Sequence, residues 1–188
     1  MIKIGITGSI ASGKSLAAKI ISGKKYPLFD ADQAVRKIYK NKNIKKKIAK
    51  HLKIENNSKL KKNIKEIIKV NKVMLKKLER IIHPVVRKNM KEFMKKNKKK
   101  KILVFEIPLL IESKLMSNFD IILLISSNKK LRLQRYLKKG GKKEIFIALS
   151  LNQIPQARKN KFCDYKITNN KSIDILKKDV KVFINKYV

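Results

Sequence analysis

GITGSIASGKSLA, residues 5–17, carries Gly8, Gly13, Lys14 and Ser15 in the spacing G-x-x-x-x-G-K-S. That spacing is the pattern of a phosphate-binding loop. Two glycines let the backbone curl tightly, so that successive N–H groups point inward at a polyphosphate. Lys14 is then placed to reach the β- and γ-phosphates, and the Ser15 hydroxyl to coordinate Mg²⁺. The flanks agree with this reading. IKIGIT, from Ile2, is a short apolar run of the kind found in buried strands, and Leu16, Ala17, Ile20 and Ile21 follow at helical spacing. Strand, glycine loop and helix N-terminus focus the positive end of a helix on an anion. Gly8, Ile10, Ala11, Ser12, Gly13, Lys14, Ser15 and Leu16 are therefore the expected contacts of a nucleoside triphosphate.

Outward from the loop, YPLFDAD predicts a second short strand, Tyr26 to Phe29, ending in two acids. From about 33 to 97 the pattern is helical: Val35, Ile38 and Tyr39, then Ile64, Ile67 and Ile68, then Leu75, Leu78, Ile81 and Ile82. IENNSKL, at 54–60, breaks this block into separate helices. KILVFEIPLL at 101–110 begins as a continuous apolar strand suited to a parallel sheet, and FDIILLIS at 119–126 is another. A charged helix at 128–139 runs into Gly140-Gly141, a further helix leads to a last strand at 164–168, and an amphipathic helix closes the chain from about 172 to 187. Alternating strands and helices after such a loop predict an α/β three-layer sandwich around a five-stranded, mostly parallel sheet. The expectation is one domain over 1–188, with the block at 33–97 inserted beside the sheet.

Composition narrows the function. With 188 residues the chain can bury a proper core. It lacks an apolar run long enough to span a bilayer, and it enters its first strand directly, so neither a membrane segment nor a signal peptide is expected. A single cysteine, Cys163, allows no internal disulfide and suits the reducing cytoplasm. The net charge of +37 would ordinarily point to nucleic acid. However, the cations are overwhelmingly Lys, with only six Arg (Arg36, Arg80, Arg87, Arg132, Arg135 and Arg158), and the planar fork that reads bases bidentately belongs to Arg. The Lys, Asn and Ile richness reads as the bias of an AT-rich genome. Only weak, salt-sensitive attraction to RNA is expected, with no specific nucleic-acid partner.

Asp30 and Asp32 stand at the end of the expected second strand, where open α/β sheets bind their ligands. One acid can accept a proton from an attacking hydroxyl while the other orders the site or the metal shell. The alternative is a solvated loop with a helix-capping Asp. Arg36, one turn after Asp32, suits either a cleft or a surface ion pair.

GITGSIASGKS, FDADQAVR, His83-Pro84 and PLLIE at 108–112 occur in the order and spacing of the dephospho-coenzyme A kinase family, which the chain resembles from Ile2 to about Asn170. Gln153, Lys159 and CDYKITNN at 163–170 extend the resemblance. It implies ATP-dependent phosphorylation of the ribose 3′-hydroxyl of dephospho-coenzyme A, with Mg²⁺; the enzyme is expected to be cytoplasmic, as a monomer with an oligomer as the alternative. It implies Asp32 as general base, Lys14 and Ser15 as phosphate and Mg²⁺ residues, and the helical block as the acceptor-binding part. Arg36, His83, Arg87, Leu110 and Glu112 fall in segments on the acceptor side. A lid is implied over 132–155. There Arg135 keeps a catalytic arginine, while a second lid arginine falls on Lys139, which keeps charge but loses the bidentate fork. Glu106 stands where relatives often have Asp and can still hold a Mg²⁺-bound water. A kinase of another small metabolite or nucleotide is the alternative.

Overall fold

The computed structural model describes residues 1–23, 25–57, 59–60, 63–64, 66–67 and 71–188. Ile68, expected on one stripe with Ile64 and Ile67, lies outside the described residues. The described chain forms two compact units, residues 1–30 with 97–188 and residues 31–96.

The first unit is built on five strands: β1 (Ile2–Thr7), β2 (Leu28–Asp30), β3 (Ile102–Glu106), β4 (Ile121–Ser126) and β5 (Tyr165–Thr168). Their order is β2-β3-β1-β4-β5, and each of the four pairings is parallel, where the sequence predicted a mostly parallel sheet. β2 begins two residues later than expected. The reason is local: Tyr26 is tied back to the first helix, its N–H donating to the Ser22 carbonyl and its own carbonyl accepting from Ser22 Oγ.

Among the described residues the helices include α1 (Lys14–Ser22), α2 (Ala31–Ile38), α3 (Lys42–Leu52), α4 (Lys72–Lys96), α5 (Lys129–Lys138), α6 (Lys143–Leu151), α7 (Gln156–Asn160) and α8 (Ile173–Tyr187). α1 and α8 supply Ala17, Ala18, Ile21, Leu176, Val180 and Phe183 to one core with Ile4, Ile6, Val104, Leu123, Ile125 and Ile167 of the sheet. The small Ala17 and Ala18 side chains let α1 approach the strands closely. Each fully buried Leu, Ile or Phe in such a core contributes about 1.5–3 kcal/mol.

The second unit holds α2, α3, α4 and the helical residues Leu60, Asn63, Ile64, Glu66 and Ile67. Its separate core gathers Ile38, Ile48, Ala49, Leu52, Leu60, Ile64, Leu78, Ile81 and Ile82. The predicted interruption has a visible cause. Lys53 adopts the left-handed conformation at φ 53° and ends α3, which Asn41 caps at its start by accepting from the Asn43 and Ile44 N–H groups. Asn71 caps α4 in the same way. α4 then runs 25 residues straight through Pro84, which brings no N–H for the Arg80 carbonyl. No helix among the described residues is long and apolar enough to cross a membrane.

Candidate active site

The glycine loop joins the buried end of β1 to α1, and its glycines are required by space as well as by φ. Gly8 has φ +150°, and a Cβ there would stand 2.2 Å from the Ile125 carbonyl oxygen. Gly13 has φ +104°, and its Cβ would stand 2.3 Å from Asn169 Nδ2. Gly13 is also the N-cap of α1 and offers no side chain to cap it, which leaves the positive end of the helix to an anion. Lys14 is buried, and its ammonium donates to the Ser9 carbonyl at 3.0 Å, so the charge lies across the loop rather than out in solvent. Gly8 to Leu16 thus form a curled cradle with a cation inside it.

Beside the cradle stands a carboxylate. Ser15 Oγ donates to Glu106 Oε1 at 2.6 Å, and Glu106 is 6% exposed at the end of β3. Asp30 ends the neighbouring strand, in register with Glu106. A serine hydroxyl and a buried carboxylate are hard oxygen donors of the kind Mg²⁺ prefers, so the residues present fit that ion.

Two arginines approach from α5. Arg135 Nη1 donates to Ser127 Oγ at 3.2 Å and to the Asn169 carbonyl at 3.0 Å. Asn169 Nδ2 in turn donates to the Ser12 carbonyl at 2.8 Å, so Arg135 is linked to the loop through one side chain. Arg132 lies deeper. Its Nε donates to the Ser127 carbonyl at 3.0 Å, its guanidinium sits 5.7 Å from the Phe146 ring centre, and burial lowers its pKa from the usual arginine value. Lys139 is exposed at the end of α5.

Arg132 and Asn169 carried no assignment from the sequence, although Asn169 lies in the quoted CDYKITNN. A signal for Arg132 existed: in a chain that uses Lys almost everywhere, a retained Arg marks a place where the planar fork is used. Leu110 is wholly buried. Glu112 Oε1 accepts from the Ile154 N–H at 2.9 Å and pairs with Lys159 at 2.8 Å, so both PLLIE residues are engaged with protein groups. Cys163 is half-buried, and burial with the nearby Asp164 pushes its thiol up to about 11.

In the helical unit Asp32 is exposed in the first turn of α2, and Arg36 is exposed one turn later. His83 and Arg87 line an open groove on α4 with Lys76, Glu79, Arg80 and Pro84. Lys76, Arg80, His83 and Arg87 recur at four-, three- and four-residue intervals and so share one helical face. A row of three fixed cations and an imidazole suits an anionic ligand.

Residues 2–174 match the family model of dephospho-CoA kinase (CoaE). The dephospho-CoA kinase of Fusobacterium nucleatum is 33% identical over 185 residues, covering 96% of this chain and 95% of that protein. Among solved structures, TT1252 from Thermus thermophilus superposes with a TM-score of 0.80 at 26% identity, over 100% of this chain and 98% of its own. Dephospho-CoA kinase from Campylobacter jejuni superposes with a TM-score of 0.65 at 26% identity, over 98% and 96%.

Proposed function

The chain belongs to the dephospho-CoA kinase family and is an ATP-using kinase of the final step of coenzyme A synthesis; from that premise we propose which residues carry phosphoryl transfer from ATP to the ribose 3′-hydroxyl of dephospho-coenzyme A. The match over residues 2–174 disfavours the alternative of a kinase for some other small metabolite or nucleotide. The observation that carries the nucleotide side is the cradle with the Lys14 ammonium inside it. In phosphoryl transfer the protein mainly positions groups and neutralises charge, so Lys14 balances the β- and γ-phosphates while loop N–H groups orient them. Ser15 Oγ, with Glu106 beside it, would hold Mg²⁺, which would supply further neutralisation of the phosphate charge. Arg135, linked to the loop through Asn169, adds positive charge where negative charge grows.

The acceptor falls to the helical unit. Arg36, His83 and Arg87, with Lys76 and Arg80 in the same groove as His83 and Arg87, hold the acceptor's phosphates. Asp32 is the general base: it stands two residues beyond the end of β2, in the first turn of α2, and the residue is exposed. Residues 132–155 act as the lid. The single cysteine and the preponderance of Lys over Arg support a cytoplasmic enzyme without a specific nucleic-acid partner. The test is coupled ADP release by the purified chain with MgATP, with and without dephospho-coenzyme A. Release that depends on that acceptor, with the phosphate found on its 3′-oxygen, is expected. Equal release without the acceptor overturns the reading.

A further inference from the structure

Within the sheet unit, one residue of the glycine loop is gripped on both sides by side chains from far along the chain. Ile10 N–H donates to Gln153 Oε1 at 3.0 Å, and the Ile10 carbonyl accepts from Arg132 Nη1 at 3.5 Å. The next residue, Ala11, has φ +57°, the left-handed region that residues other than glycine adopt at a cost of about 1–2 kcal/mol. Such a conformation persists only where its surroundings over-determine it. Here the surroundings include these two side chains on Ile10 and the turn closed by the Ser12 N–H on the Ser9 carbonyl. Arg132 stands in the first turn of α5, and Gln153 stands just past the end of α6. They bracket the segment proposed as the lid.

Gln153 is itself anchored. The adjacent Ile154 N–H donates to Glu112 Oε1 at 2.9 Å, and that same oxygen pairs with Lys159 Nζ at 2.8 Å. Lys159 is wholly buried and also donates to the Pro108 carbonyl at 3.4 Å. A buried ion pair contributes little net stability over apolar packing, because desolvation offsets its attraction, so its plainest use is to hold a geometry. The geometry held is the strap at 153–159, and the group that strap presents to the loop is Gln153 Oε1.

We infer that Gln153 is a positioning residue for the nucleotide cradle, set in place by the Glu112–Lys159 pair, and that with Arg132 it ties the cradle's shape to both ends of the 132–155 segment. With its N–H engaged by Gln153, Ile10 helps shape the cradle rather than donating that group to phosphate. Glu112 then acts through the strap. This inference rests on the proposed nucleotide role of the loop.

The experiment uses the full chain with Gln153→Met, which keeps length and removes the acceptor oxygen, and Gln153→Glu, which restores one. MgATP affinity is read by calorimetry without any acceptor, and KM for dephospho-coenzyme A and the thermal midpoint are read alongside. Gln153→Met is expected to weaken MgATP about 3- to 10-fold, the equivalent of one net hydrogen bond. Its KM for dephospho-coenzyme A stays at the wild-type value, and Gln153→Glu recovers most of the ATP affinity. Unchanged ATP affinity in Gln153→Met overturns the inference, as does a loss that Gln153→Glu fails to recover. A rise in the acceptor KM matching the ATP loss also overturns it, since general loosening would move both. A wild-type chain that binds MgATP but leaves dephospho-coenzyme A unphosphorylated would overturn the proposed function and leave this binding measurement intact.

Discussion

The sheet unit and the helical unit share one Lys-rich composition and hold their functional groups by different means. In the sheet unit, side chains far along the chain hold main-chain groups of the loop: Asn169 on Ser12, 157 positions away, and Gln153 on Ile10, 143 positions away. In the helical unit the capping bonds of Asn41 and Asn71 and the His51–Lys47 contact are local, and the fold rests on a stripe of Ile, Leu and Ala. The difference fits the roles proposed for the two parts. A transferring phosphoryl group needs its partners placed within tenths of an ångström. Long-range bonds to a rigid parallel sheet provide that. For the acceptor role proposed for the helical unit, exposed cations on a packed helix are what an anionic ligand needs.

The largest effect bears on whether the helical unit supplies chemistry or only binding. Asp32→Asn keeps the size of the side chain but removes its charge and basic lone pair, so single-turnover phosphorylation of dephospho-coenzyme A should fall about 10²–10⁴-fold. ATP binding should change far less, and Asp30→Asn, at the end of β2, should cost less in transfer. Full transfer by Asp32→Asn together with abolition by Asp30→Asn would move the base into the sheet unit and break the comparison. Next in size is Lys14→Ala, which removes the cation from the cradle. Turnover of the folded variant should drop on the order of 10²-fold. Near-normal turnover would show that the sheet unit's fixed charge is not what the reaction uses. The smallest effect sharpens the contrast. Ile48→Val thins the helical core, where Ile48 is 0% exposed, and should destabilise the protein by about 0.5–1.5 kcal/mol in urea unfolding. MgATP binding by the sheet unit should be unchanged, and a matching loss there would overturn the assignment of ATP binding to the sheet unit alone.

Much of this was legible in the chain because the signals are local. β1, the loop and α1 lie within 21 consecutive residues, and the buried strands at 102–106 and 121–126 announce themselves as unbroken apolar runs. Capping Asn and periodic Ile and Leu mark the helices of 31–96. Pro84 is the one residue there that opposes the pattern, and α4 continues through it because packing of Leu78, Ile81, Ile82 and Met90 outweighs one missing hydrogen bond.

Sequence alone determined that a triphosphate cradle exists and which acids and cations are near it along the chain, since spacing along a strand, turn or helix fixes which side chains can share a face. It could not say that Glu106 meets Ser15, that Arg132 and Gln153 grip Ile10 from either side, or that Glu112 spends its charge on a buried lysine. Those are contacts across 47 to 143 positions, between residues that no local periodicity relates. They came into being only when a parallel sheet, whose crossovers separate neighbouring strands by long stretches of chain, brought the strand ends and their loops to one edge.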